Sequence, residues 1–274
     1  MLGKLIKNDL KSSVRGVFNI YIAAFIATAA MGISLFTDFG AGKTLSSLAL
    51  IIISFIAVII TIVSMFSDFR KTMFGDRGYL TNTLPVRSYS LLFSKWLVSM
   101  IWITVSCLFV GFSFALVYSY YMGSESVSTF SMLLEMLPTM GLPAKDVIFK
   151  ILPMYSAKIL FWLAVNVAIV YFSVTISNIK PFQALGTFGV IIAFFLIFAF
   201  VNIAGNKLDS LASMAILVNF DGSMSLSFDR QAIQEVIYTG GAFVSLTQIY
   251  FELIAAIILF IINSELIEKK INVK

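Results

Sequence analysis

The chain has 274 residues, of which 59% are hydrophobic and 12% charged, and its mean hydropathy is +0.98. No soluble domain of this length needs so much apolar surface, and the absence of histidine removes His-based triads, His metal ligands and His proton relays. The net charge of +5 gathers at the ends of apolar runs rather than on one polar face, so it reads as membrane topology and not as nucleic-acid binding.

Six apolar runs, at roughly 17–36, 45–66, 91–121, 151–177, 183–203 and 246–263, are long enough to predict transmembrane helices. They lack the alternation of a membrane β-barrel. The expected fold is therefore all-α and integral to the membrane, one domain over 1–274 with about six spans.

Before the first span, residues 2–17 place Leu2, Leu5, Ile6, Leu10, Val14 and Val17 on one helical face, opposite Lys4, Lys7, Lys11 and Arg15. This predicts an interface helix over 1–16, lying in the headgroup layer before the chain turns into span 1. It serves either as a positive-inside anchor or as a contact for a partner. The start is too polar for a signal-peptide core, so no cleavable leader is expected.

Spans 2 and 3 are separated by a basic elbow at 67–90. It carries Arg70, Lys71, Arg77 and Arg87 against Asp68 and Asp76, with Lys95 just beyond. An amphipathic stretch ends at Gly75, Gly78 permits a turn, and Pro85 precedes a new helix with Ser88 as its expected cap. Span 3 contains the single cysteine, Cys107, which reads as a small packing residue.

With both termini inside, thirteen cations are cytoplasmic: Lys4, Lys7, Lys11, Arg15, Arg70, Lys71, Arg77, Arg87, Lys95, Lys180, Lys269, Lys270 and Lys274. Six are outside: Lys43, Lys145, Lys150, Lys158, Lys207 and Arg230. The asymmetry predicts cytoplasmic termini and a cytoplasmic elbow.

Two outer segments remain. In 122–150, a Met-rich stretch broken by Pro138 and Pro143 predicts an interfacial helix. In 204–245, LDSLASMAILVNF predicts a short interfacial or re-entrant helix, and FDGSMSLSFD a turn-rich loop. Between spans 4 and 5 only SNIKP intervenes, with Pro181 suited to a helix start. The matching broken helices of inverted-repeat carriers are not evident.

No P-loop, G-x-S-x-G or H-E-x-x-H motif is present. The chain is not expected to be an enzyme, to hold a cofactor or to bind a metal. Glu252, with Gln248 one turn earlier, is an ionisable residue near membrane depth. Such carboxylates are costly and often functional. The pair either belongs to a transport path or pairs structurally with headgroups or an outer-loop lysine. Asn166, Asn202 and Asn263 suit interhelical hydrogen bonds.

The start MLGKLIKNDLK, the elbow GDRGYLTNTLPVRSYSLLFSK, the six spans and the closing IEKKINVK together resemble permease subunits of bacterial ABC exporters in the type-2 permease superfamily. The densest match runs from Gly75 to Lys95. The resemblance implies a membrane-spanning subunit that forms the substrate path while separate ATP-binding subunits, carrying ATP and Mg, dock beneath it. It implies that the elbow is a coupling helix, with Asp76, Arg77, Gly78, Tyr79, Leu80, Leu84 and Pro85 meeting the ATPase. It also implies a second permease copy or related permease, membrane lipids as neighbours, and residence in the cell membrane. Two other classes stay open: an ion-coupled secondary carrier, which needs buried charge along the spans, and a non-transporting sensor or scaffold.

Overall fold

Each of the six apolar runs is a helix long and apolar enough to cross a bilayer. The protein is an all-α integral membrane protein. The computed structural model describes residues 2–36, 40–75, 88–121, 147–179, 182–219, 223–239 and 241–271. The membrane helices are α1 (Leu2–Phe36), α2 (Gly40–Met73), α3 (Ser88–Tyr121), α4 (Leu152–Ser177), α5 (Gly186–Leu211) and α7 (Leu246–Ile271). Between α5 and α7 come β1 (Ala215–Val218), β2 (Met224–Ser227), the short helix α6 (Arg230–Tyr238) and β3 (Ala242–Ser245). Phe25, Phe188 and Phe200 are each more than 70% exposed. Many other large apolar side chains along the spans are exposed to a lesser degree, an outer surface made for acyl chains rather than water.

The chain divides into two compact units, Met1–Ser126 with Ile267–Lys274, and Val127–Leu266. In the first, α1, α2 and α3 pack against one another along seams of small residues. Ser47, Ser54, Thr61 and Asp68 recur every seven residues on α2, and Ser99, Ser106 and Ser113 do so on α3; all but Asp68 are buried. Val17, Ala24 and Met31 keep the same interval on α1. A seven-residue repeat keeps one stripe facing its neighbours, and small side chains let the backbones approach. A hydroxyl chain crosses this bundle. Tyr21 Oη lies 2.5 Å from Ser106 Oγ, Ser106 donates to Thr61 Oγ1 at 2.9 Å, and Thr61 donates to the Ala57 carbonyl at 2.7 Å.

The N-terminal stretch differs from expectation. The amphipathic start and the first span form one helix of 35 residues with no turn between them. Nothing between Lys11 and Phe18 breaks a helix, since there is no proline and Gly16 is a lone glycine lying beside Ser64. Its inner face is already used within the protein: Trp102 Nε1 donates to Ser13 Oγ at 2.8 Å. Cys107 is also corrected, because it is exposed on α3 while its neighbour Ser106 points into the seam.

In the second unit, α4, α5 and α7 enclose a core of Val165, Ala168, Ile169, Val201 and Leu259, with Phe172, Phe198 and Phe251 packed against it. A π-helical turn, Val147–Ile151, leads into α4, with a proline in its first turn. A 3₁₀ turn, Phe182–Leu185, leads into α5. The junction is Gly186 at φ +54°, a left-handed backbone that glycine adopts without a Cβ penalty.

The segment 204–245 is the largest correction. The expected interfacial helix over LDSLASMAILVNF is instead the end of α5, which runs to Leu211, followed by strand β1. FDGSMSLSFD contributes strand β2 rather than only a loop. The three strands form an antiparallel sheet in the order β2-β1-β3, with Ile216 opposite both Leu226 and Val244. Ala-Ile-Leu-Val becomes the central strand because both its edges find partners and α6 covers one face through Ile233 and Val236. Asp229 caps α6 by accepting from Gln231 N at 2.9 Å. The segment 122–146, with its expected interfacial helix, lies outside the described residues.

Candidate functional site

Two polar clusters stand out, one in each unit. The first surrounds Lys95, near the start of α3. Its side chain is 6% exposed and its Nζ bonds Asp9 Oδ1 of α1 at 3.2 Å and Asp68 Oδ2 of α2 at 3.3 Å. Ser94 Oγ donates to the other Asp9 oxygen. Local sequence explains why the three meet. Asp68 ends the seven-residue polar stripe of α2, Lys95 follows the first turns of α3, and Asp9 interrupts the lysine stripe of α1 on its inner side. The α2 end is further marked by Arg70 and Lys71, which suit the negative end of the helix dipole. The chain leaves that helix through Phe74 and Gly75, both donating to the Arg70 carbonyl. One ammonium shared by two largely shielded carboxylates is charge-assisted.

This cluster brackets the elbow, because α2 and α3 are the helices that enter and leave it. Asp76, Arg77, Gly78, Tyr79, Leu80, Leu84 and Pro85 lie outside the described residues. Helix α3 opens at Ser88, within a residue of the expected cap. Lys4, Lys7 and Lys11 are exposed on α1, as their stripe requires, and Arg15 lies on the same helix. Ser94 and Lys95 fall within the elbow match, but nothing in their spacing joins them to Asp9 and Asp68. The available signal was an acid at each helix end in a chain with few acids.

The second cluster lies between α4, α5 and α7. Trp162 and Asn166 come from α4, Asn202 and Gly205 from α5, and Gln248, Phe251 and Glu252 from α7. Gly205 lets Phe251 pack close, since a Cβ would stand a tight 3.1 Å from Phe251 Cδ1. Both expected transport-path residues, Gln248 and Glu252, line this one pocket. Glu252 is 5% exposed and, among the described residues, its Oε2 has no hydrogen-bond partner. The expected asparagine bonds across helices are not made by the amide nitrogens. Asn166 Nδ2 donates to the Trp162 carbonyl and Asn202 Nδ2 to the Phe198 carbonyl, each on its own helix at the nearest carbonyl one turn back. Asn263 is fully shielded on the same helix as Glu252, and its Oδ1 also lacks a partner.

Just beyond this pocket the sheet is fastened to the ends of α5 and α7. Ser245 Oγ donates to Asp209 Oδ1 at 2.5 Å, Thr247 Oγ1 donates to the Ala212 carbonyl at 2.7 Å, and Leu246 N donates to the Met214 carbonyl at 2.7 Å. Tyr155 Oη adds α4 by donating to the Phe243 carbonyl at 3.0 Å.

Comparison of the chain with protein-family models, with curated proteins and with solved structures finds no match.

Proposed function

We propose that this chain is the membrane-spanning permease subunit of an ATP-driven exporter, moving an apolar or amphipathic substrate while separate ATP-binding subunits supply the energy. The observation that carries the reading is the Asp9–Lys95–Asp68 cluster. It pins the two helices flanking the elbow to each other and to the N-terminal helix, so a push on the elbow moves three spans together. A bare topological loop has no need of such a buried clamp. The elbow residues Asp76, Arg77, Tyr79 and Leu80 then offer charge-assisted and apolar contacts to the ATPase. A second permease copy, or a related one, completes the path, because six spans are few to enclose a bulky substrate.

The test is paired. Replacing Arg77 and Tyr79 together with alanine leaves the apolar runs that drive insertion untouched. Membrane insertion is expected at the parental level, while ATPase co-purification or substrate-stimulated hydrolysis in reconstituted membranes falls at least about tenfold, the loss of one good contact's worth of binding. Parental values of both in the double variant reject the elbow as the coupling contact.

The same reading places the chain in the cell membrane with both termini and the elbow in the cytoplasm. After Cys107 is replaced, a cysteine at Asn82 is expected to resist an impermeant thiol reagent in intact cells. One at Ser225, exposed on β2, is expected to react. The reverse pattern inverts the topology.

A further inference from the structure

We infer that the pocket formed by Glu252, Asn166, Asn202 and Gln248 is an intramembrane binding site for one dehydrated alkali cation. Three observations carry this. First, Glu252 is 95% shielded within an apolar helix bundle and its Oε2 is unpartnered among the described residues. An ionised carboxylate is costly there unless something positive meets it. Second, Asn166 and Asn202 line the same pocket, and the one bond of each amide runs from its nitrogen back to its own helix. Each amide still carries an oxygen that accepts no bond from its own helix, and a lining of carboxylate and amide oxygens suits a hard cation. Third, the pocket has room for about one water-sized particle, which fits a bare ion and excludes an organic cation of any bulk.

The number of carboxylates selects the valence. The pocket offers a single carboxylate, whereas divalent ions draw more carboxylates into their shell. Lys158, two turns before Asn166 on α4, is close enough to act on Glu252 electrostatically. It is the intrinsic competitor for the ion, so the site releases its cation more readily than an isolated carboxylate would. Asn263 extends the feature: eleven residues on from Glu252, it falls on the same face of α7 to within about 20° and about 16 Å further along. Its orphan oxygen is a second acceptor on the line an ion would follow.

The inference does not depend on the export reading, because it is tested by binding to the isolated chain. The full chain is purified in lipid nanodiscs in N-methylglucamine chloride, whose cation is too large for the pocket. NaCl and KCl are titrated at constant ionic strength. For at least one of the two ions, the expected result is a saturable rise in unfolding midpoint of about 3 °C or more. Binding of the radiolabelled ion is expected at one per chain. Glu252→Gln abolishes both, and Asn202→Ala weakens affinity about tenfold, the scale of one lost ligand. No saturable binding of either ion in the parent, or binding retained in Glu252→Gln, overturns the site. If Glu252→Gln does not fold, Asn202→Ala decides, and unchanged affinity in it overturns the site as well.

Discussion

Replacing Lys95 with methionine is expected to destabilise the first unit by about 3 kcal/mol, the cost of stranding shielded charge. The substitution keeps most of the side-chain volume and removes only the ammonium. Asp9 and Asp68 are then left facing each other, with side chains 18% and 29% exposed and their shared ammonium gone. Asp9→Asn alone is expected to cost about 1 kcal/mol, because Asp68 still holds the lysine. The triple variant Asp9→Leu, Asp68→Leu, Lys95→Met is expected to return to near-parental stability, since well-packed apolar groups often replace a buried ion pair without loss. Unfolding midpoints in detergent, measured across the three variants, check the series. If Lys95→Met unfolds like the parent, the cluster is not what holds α1, α2 and α3 together at this end. The triple variant also separates structure from signalling: it is expected to fold but to couple elbow and spans less specifically, because apolar contacts can slip where a shared ammonium cannot.

Gly241→Ala is expected to loosen the sheet that caps the second unit. A Cβ at this position would lie 2.6 Å from the Val218 carbonyl oxygen and 2.6 Å from Val236 Cγ1. Neither can step aside cheaply. Val218 is the last residue of β1, paired with Met224 and Ala242, and Val236 is the residue by which α6 covers the sheet. Gly241 N also donates to the Val236 carbonyl at 2.8 Å, which fixes the approach. The expected cost is about 2 kcal/mol, the usual scale of overpacking. Gly111→Ala, in open space on α3, is the control. It is expected to be neutral or to stabilise by up to about 1 kcal/mol, as alanine does for glycine inside a helix. Hydrogen exchange is the measurement: faster exchange in 215–218 and 242–245 with unchanged protection in α4 and α5. Slow exchange throughout the sheet in Gly241→Ala shows that the close approach is dispensable.

What could be read from the residues follows the range of the interactions. The six helices were legible because a run of about twenty apolar residues has one stable solution in a bilayer. Their ends were less so. Leu2–Phe36 is one helix because a basic amphipathic turn and an apolar turn are equally helical, and hydropathy marks where polarity changes, not where a helix stops. The strands were missed because Ala215–Val218 has the composition of a buried helix turn. Its identity as a strand rests on β3, which starts more than twenty residues later. The seven-residue serine stripes of α2 and α3 were open to inspection, yet polarity alone does not say which side faces a neighbour. Glu252 and Gln248 were legible as polar residues in an apolar run. That they share a pocket with Asn166 and Asn202 was not, since the four come from three helices. Lys95 was visible as a residue but not as a hub, because its partners lie 27 and 86 positions away.

The fastening of the sheet to α5 and α7 has a mechanical consequence. Strand β3 passes into α7 with no intervening residue, and Ala212–Met214 alone separate α5 from β1, the strand beside β3. These two helix ends therefore cannot part unless the sheet tears along β1 and β3. Any spreading of α5 from α7 must work like tweezers, closed at the sheet and widening with distance from it. Glu252 sits six residues from that hinge, about 9 Å along the axis, and Asn263 about 26 Å. A spread that displaces Glu252 by about 1 Å then displaces Asn263 by about 3 Å, in proportion to those lengths. The grip nearest the hinge is the last to slacken, so anything held at Glu252 is released only after the way past Asn263 already stands open.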